Sequence, residues 1–297
     1  MMLQDCVGEI ARQFEQEELF YGHGTDNPAD EAFYLVFAAL GLDFGDAEQL
    51  MALRELGPEE LQKVHELARR RVQERVPVAY LVGEAWFAGL AFHVNQHVLI
   101  PRSPIAELIA GGFAPLLETE PREILDLCTG SGCIGIACAL RWPSARVVLS
   151  DISGEALAVA RENVRRHGLE DRVHVVESDL FASLDDGFDL IVSNPPYVAD
   201  EEMRDLPPEY RHEPALGLRS ADEGLDIPLR ILREAPAHLS DAGVLVLELG
   251  YSWQALARRL PRMPFVWLEF EHGGEGVLAL DRASLLRGLA EHPPISE

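Results

Sequence analysis

From residue 124 onward, short and nearly unbroken apolar runs punctuate the chain, and several of them lead into an acidic or amide residue. Residues 124–127, 145–150, 172–176, 188–193 and 243–249 lack the polar alternation of a half-solvated strand, so they predict parallel strands buried on both faces. Residues 265–270 and 276–280 predict two more strands, joined through Gly273-Gly274 by a loop too short for a crossover and therefore antiparallel. Helical patterns lie between them: an apolar segment reaching Leu140, then residues 226–238 and 252–260. Strands alternating with helices predict an α/β domain on a seven-stranded sheet.

The front of the chain follows a different pattern. Asn27-Pro28-Ala29-Asp30-Glu31 offers a capping side chain, proline in the first helical position and acids in the first turn, so a helix should run to about Leu40. Pro58-Glu59-Glu60 opens another, with Leu61, Val64, Ala68 and Val72 at helical spacing and Lys63, Arg69, Arg70 and Arg71 expected on a solvated face. Residues 85–94 read as a hairpin turning at Ala88-Gly89. The chain thus divides into a helical domain over 1–76, a hairpin linker over 77–103 and the sheet domain over 104–297, with a frayed tail after about Glu291.

Candidate chemistry sits where strands end. After residues 124–127 come Cys128-Thr129-Gly130-Ser131-Gly132-Cys133-Ile134-Gly135, a G-x-G-x-x-G turn into a helix, which lets backbone approach a nucleotide-like ligand closely. Asp151 follows the next strand, placed to accept from two ribose hydroxyls, and Asp179 the one after, placed to accept from an adenine amine while Leu180 or Phe181 covers the ring. A dinucleotide and S-adenosylmethionine both suit this spacing. Asp126, four positions before the first glycine, would repel a diphosphate and attract an ammonium and a sulfonium, so the cationic ligand is favoured. After residues 188–193 stands Asn194-Pro195-Pro196-Tyr197, a stiff loop with free carbonyls and a flat aromatic surface, able to grip a planar amide or an aminated base. His23 and His212 lie in polar loops and read as turn or capping partners rather than bases.

Charge narrows the partner. At 297 residues and a formal net charge of −25, the chain would repel naked nucleic acid and attract a basic protein. Gln4, Asp5, Glu9 and Arg12 break up the apolar start, and no run approaches membrane-spanning length, so a cytoplasmic location with no membrane partner is expected. Cys6, Cys128, Cys133 and Cys138 show no paired C-x-x-C spacing, and neither disulfides nor a metal site is expected.

Asp126-x-x-Thr129-Gly130-Ser131-Gly132, Asp151, Ser178-Asp179 and Asn194-Pro195-Pro196-Tyr197 together resemble the HemK family of methyltransferases, which modify the side-chain amide of protein glutamines. Gly22-His23-Gly24-Thr25-Asp26-Asn27, Glu84-Ala85-Trp86-Phe87, Pro101-Arg102-Ser103-Pro104-Ile105-Ala106-Glu107-Leu108 and Glu209-Tyr210-Arg211-His212-Glu213-Pro214 are similar to its branch acting on large-subunit ribosomal protein L3. The likeness runs from about residue 20 to about residue 280. It implies the class I S-adenosylmethionine-dependent methyltransferase fold, a Rossmann-like seven-stranded sheet with its last strand antiparallel, behind a small helical substrate-recognition domain. It also implies cofactor contacts from Asp126, Cys128, Thr129, Gly130, Ser131, Gly132, Asp151, Ile152, Asp179, Leu180, Phe181 and Asn194, and catalysis at Asn194, Pro195, Pro196 and Tyr197. Arg102 with Glu107 would shape the cofactor side, or form a structural ion pair. Release factors as glutamine substrates, an adenine amine in nucleic acid, and a binding module without catalysis remain as alternatives. One departure stands out: Ser220-Ala221-Asp222-Glu223-Gly224-Leu225 lacks the glycine the family carries before Asp-Gly-Leu, which bears on that loop's conformation.

Overall fold

The computed structural model describes residues 1–185 and 187–292, and the expected frayed tail falls largely outside them. Helices α1 (Leu3–Glu15), α2 (Pro28–Leu40), α3 (Ala47–Leu53), α4 (Pro58–Glu74) and α5 (Val78–Val82) build the front of the chain around an apolar core of their own. α2 begins as predicted: Asn27 accepts the Asp30 N–H at 2.9 Å, and Gly41 at φ +62° closes the helix. α1 has no such signal, since Met2 stands at its N-cap without a side-chain bond. Burial of Leu3, Cys6, Val7, Ile10 and Phe14 along one face holds it instead. The predicted hairpin is β1 (Glu84–Phe87) against β2 (Leu90–His93), turning through Ala88 at φ +49° and Gly89 at φ +76°, a left-handed pair that matches the strand twist.

α6 (Ile105–Ala110) leads into the sheet, formed by β3 (Glu123–Leu127), β4 (Arg146–Asp151), β5 (Val173–Glu177), β6 (Phe188–Ser193), β7 (Leu239–Glu248), β8 (Val266–Trp267) and β9 (Val277–Asp281). The strand order is β5-β4-β3-β6-β7-β9-β8; β3 to β7 pair in parallel, and β9 is antiparallel to both its neighbours. The seven strands and the reversed last one were legible, but β7 starts earlier than residue 243. Its pairing with β6 shifts between Phe188 and Leu190, and Gly243 fits there because a Cβ would come 2.6 Å from the Phe188 carbonyl oxygen. α6, α7 (Cys133–Arg141) and α8 (Gly154–Arg166) cover one face, and α9 (Asp226–His238), α10 (Trp253–Arg259) and α11 (Arg282–Ala290) the other. Because β3 lies between β4 and β6, the chain reverses its direction of winding there, and the loops leaving the carboxyl ends of both strands flank one crevice.

Candidate active site

The loop after β3 is tight, with Cys128, Gly130 and Gly132 at φ +59°, +55° and +84°. Its geometry is set from beneath by Asp126, whose Oδ2 accepts the Thr129 hydroxyl at 2.6 Å and the Gly135 N–H at 2.8 Å. Burial pushes the Asp126 carboxyl up to about 7, opposed by those two hydrogen bonds. This corrects the expectation that Asp126 faces a cationic ligand: it is 1% exposed and staples the loop to α7 from behind the cleft wall. Glycine at 135 permits the staple, since a Cβ would meet Leu149 at 2.3 Å and Asp126 at 2.9 Å. Gly132 likewise turns toward Ile136 and Leu149 and does not line the cleft.

At the end of β4 the Asp151 carboxylate accepts the Gly130 N–H at 3.0 Å and the Ser153 N–H at 2.9 Å, tying two loops together while it lines the cleft; burial raises its carboxyl above the ordinary value. Cys128, Thr129, Gly130, Ser131, Ile152, Asp179 and Leu180 line the same space. Phe181 does not: it turns into the core and stacks on His238 at 4.6 Å, leaving Leu180 as the apolar cover. Asn163 of α8, invisible to motif reading, locks the glycine loop to the hairpin, donating to the carbonyls of Ser131 at 2.8 Å and His93 at 3.0 Å.

Asn194, Pro195, Pro196 and Tyr197 follow β6 and form the facing wall. Among the described residues none hydrogen-bonds the Asn194 side chain or the Pro195 carbonyl, so both stay available to a ligand. Tyr197 is clamped from three sides. Its hydroxyl donates to Glu248 Oε1 at 3.2 Å, its carbonyl accepts the Ser252 hydroxyl at 2.8 Å, and its ring lies so near Gly250 that a Cβ there would come within 2.6 Å. Glu248, at the end of β7, also accepts the Ser103 hydroxyl at 2.5 Å, and burial raises its carboxyl. Motif reading missed this acid, although a carboxylate closing the apolar run 243–249 is the kind of break that marks a site.

The cleft has a volume of about 660 Å³. Its charges discriminate between the two ligands the spacing allowed. Each arginine on its walls already faces a carboxylate: Arg102 meets Glu213, Arg230 meets Asp179 and Arg219 meets Asp200. Among the described residues no lining guanidinium is left without a carboxylate partner, while Asp151, Glu202, Asp205 and Glu248 make the lining acidic, which suits a sulfonium and an ammonium better than a diphosphate. The lining also holds a buried hydroxyl with no hydrogen-bond partner among the described residues, Ser150 Oγ, beside Asp151.

Other expectations resolve less uniformly. Arg102 lines the cleft and pairs with Glu213 at 2.6 and 2.8 Å, whereas Glu107 lies apart, accepting the N–H groups of Glu271 and His272. His212 is a capping partner, 2.8 Å from the carbonyl of Glu74 at the end of α4. His23 is not a polar-loop residue: it is buried against Phe20 and Tyr210, with Nε2 3.7 Å from Glu213. Of the basic run on α4, Arg69 and Arg70 stay outside as predicted, but Arg71 is buried and bonded to Glu31 and Glu209. The departure before Gly224 also has a structural trace. Asp222 and Glu223 take left-handed backbone at φ +53° and +57°, where glycine would be unstrained.

Two protein families match the chain: the Methyltransferase small domain over residues 113–206 and the PrmC N-terminal domain over residues 15–83. A protein of Xylella fastidiosa named ribosomal protein uL3 glutamine methyltransferase is 49% identical over 296 residues, covering 98% of this chain and 93% of its own. Its namesake in Francisella tularensis is 42% identical over 288 residues, covering 96% and 91%. The catalytic domain of hMettl16, solved with MAT2A 3′UTR hairpin 1, superposes with a TM-score of 0.52 at 16% identity, covering 82% of this chain and 90% of its own, and shares the fold alone.

Proposed function

Because the chain belongs to the family of ribosomal protein uL3 glutamine methyltransferases, we propose that it transfers a methyl group from S-adenosylmethionine to the side-chain amide nitrogen of a glutamine in uL3. The observation that carries the reading is the pair of unpartnered acceptors, the Asn194 side-chain carbonyl and the Pro195 carbonyl, on the wall facing Asp151 and the glycine loop. S-adenosylmethionine, held by Thr129 to Ser131, Asp151, Ile152, Asp179 and Leu180, supplies an electrophilic methyl.

An amide nitrogen is a poor nucleophile because its lone pair is delocalised into the carbonyl. Asn194 and Pro195, accepting hydrogen bonds from its two N–H groups, fix the nitrogen for in-line approach and stabilise the positive charge that grows on it. Pro195 and Pro196 keep that geometry stiff, and Tyr197, immobilised by Glu248, Ser252 and Gly250, packs against the substrate side chain. No strong base is required, since the methylated amide loses its proton readily to solvent. The acidic surface favours encounter with a basic ribosomal protein and disfavours nucleic acid.

The test is competition for label. With methyl-labelled S-adenosylmethionine, uL3, a peptide-chain release factor and an RNA transcript in one reaction, label should appear on a glutamine of uL3. Label on the release factor or the RNA would overturn the substrate assignment. Calorimetric binding of a nicotinamide dinucleotide in place of S-adenosylmethionine would overturn the cofactor.

A further inference from the structure

We propose that the N-terminal helical domain builds part of the acceptor wall of the cleft, with Arg71 acting as a positioning residue that fixes Tyr210 through Glu209. This rests on the methyl-transfer reading and adds to it the residues that place the acceptor.

The connection runs through a short 3-10 helix, Pro208–His212, which follows the Asn194-Pro195-Pro196-Tyr197 wall in sequence. The Glu209 side chain is fully buried, and its Oε1 accepts Arg71 Nη1 at 3.0 Å and the Phe20 N–H at 3.1 Å, with Arg75 at 3.5 Å. Arg71, 1% exposed, also donates Nε to Glu31 of α2 at 2.9 Å and Nη2 to the Phe20 carbonyl at 2.7 Å. The next residue, Tyr210, faces the cleft. Its ring lies 5.3 Å from the Arg102 guanidinium and 4.8 Å from His23, and its hydroxyl hydrogen-bonds no described residue. His212 then returns to α4 and Glu213 to Arg102. One turn of chain is thus anchored on the helical domain while presenting a side chain to the catalytic space.

Apolar side chains of similar volume would join these surfaces at least as stably as a buried ion cluster does. What the cluster adds is direction, because the three arms of one planar guanidinium meet Glu31, Glu209 Oε1 and the Phe20 carbonyl at once, although Glu209 Oε2 has no partner among the described residues. A purpose for that direction lies in the acceptor. Asn194 and Pro195 satisfy the two N–H groups of a glutamine amide, and its carbonyl oxygen still needs a donor; the Tyr210 hydroxyl, on the same cleft lining, is a donor with no partner among the described residues.

The experiment is a double-mutant cycle on the full-length chain, measuring single-turnover transfer from labelled S-adenosylmethionine to uL3, with cofactor affinity by calorimetry and hydrogen exchange of residues 208–213. Glu209→Gln and Tyr210→Phe should each slow transfer roughly tenfold with cofactor affinity within about twofold of wild type, and the double variant should be no slower than the slower single. Exchange over 208–213 should quicken in Glu209→Gln and stay unchanged in the sheet. Should Glu209→Gln not fold, Arg71→Lys, which keeps the charge but loses the fork, enters the cycle with the same expectations. Wild-type rate in the Glu209 variant, multiplicative losses in the double, or unchanged exchange over 208–213 would overturn the proposal. Wild type transferring nothing to uL3 would sink the functional reading alone, and the exchange measurement would still decide the anchoring.

Discussion

Replacing Glu213 with glutamine should cost about 3 kcal/mol of stability at neutral pH, a figure that follows from the carboxylate's surroundings. Its side chain is buried, Arg102 Nη1 and Nη2 donate to it at 2.6 and 2.8 Å, the Ile100 N–H at 3.1 Å, and His23 Nε2 stands 3.7 Å away. Burial alone would raise its carboxyl, but Arg102 and His23 outweigh burial and hold it at about 2 against an ordinary 4.5, which corresponds to roughly 3 kcal/mol. The folded value is depressed, so this stability is fully present above the unfolded value near 4.5 and is lost as pH falls toward 2. Glutamine keeps the shape and can accept from Ile100, but turns an N–H group toward a guanidinium. Urea unfolding of wild type and Glu213→Gln across pH 7 to 3 should show a gap of about 3 kcal/mol that narrows by about 1 kcal/mol at pH 4 and about 2 at pH 3. The control is Glu123→Gln, which removes an exposed pair with Arg146 and should cost under about 1 kcal/mol. A Glu213 gap no larger than the control's, or one that does not narrow in acid, would refute the reasoning.

Asp126→Asn tests the opposite sign. With its carboxyl raised to about 7 from 3.8, Asp126 contributes stability that is full below pH 3.8 and lost as pH rises through 7, so the variant should gain on wild type by up to about 4 kcal/mol between pH 4 and 8, read from urea midpoints. Gly224 sits at φ +83° with a would-be Cβ 2.1 Å from the Tyr197 carbonyl oxygen; Gly224→Ala should therefore displace Tyr197 and cut single-turnover transfer at least tenfold, with roughly 2 kcal/mol lost in stability. Deleting residues 1–76 removes Arg71, Arg75 and the Phe20 N–H from Glu209 and His23 from Glu213, which keeps only Arg102, so the cleft-lining segment 208–213 loses its anchor. The truncated chain should lack native near-ultraviolet circular dichroism and fail to bind cofactor. Cofactor binding at full affinity would mean that the sheet domain stands alone.

What could be read in advance was local. The strand at 188–193, the cap at Asn27, the turn at Ala88-Gly89 and the helix over 226–238 all carry their instructions within a few residues, and the molecule follows them. Of the acids near strand ends, Asp151 and Asp179 line the cleft, whereas Asp126 does not. Neighbours decide whether a side chain at the end of a strand faces ligand or core, and Asp126 and Phe181 were drawn inward by Thr129 with Gly135 and by His238. Long-range partnerships left no trace in spacing. Arg71 looked like one more charge on a solvated helix face because its partners, Glu31 and Glu209, stand 40 residues before it and 138 after it. Glu248 was hidden for the same reason: Ser103, 145 residues away, and Tyr197, 51 away, make it part of the site.

Methyl transfer depends most directly on Asn194 holding a uL3 glutamine in the cleft. Tandem mass spectrometry of uL3 after a single turnover with labelled S-adenosylmethionine should find the label on one glutamine side chain with wild type. With Asn194→Ala, folded to the same extent, transfer should fall at least a hundredfold, as expected for losing a preorganised partner worth on the order of 3 kcal/mol. Label on any group other than a glutamine amide, or an Asn194→Ala enzyme as fast as wild type, would contradict it.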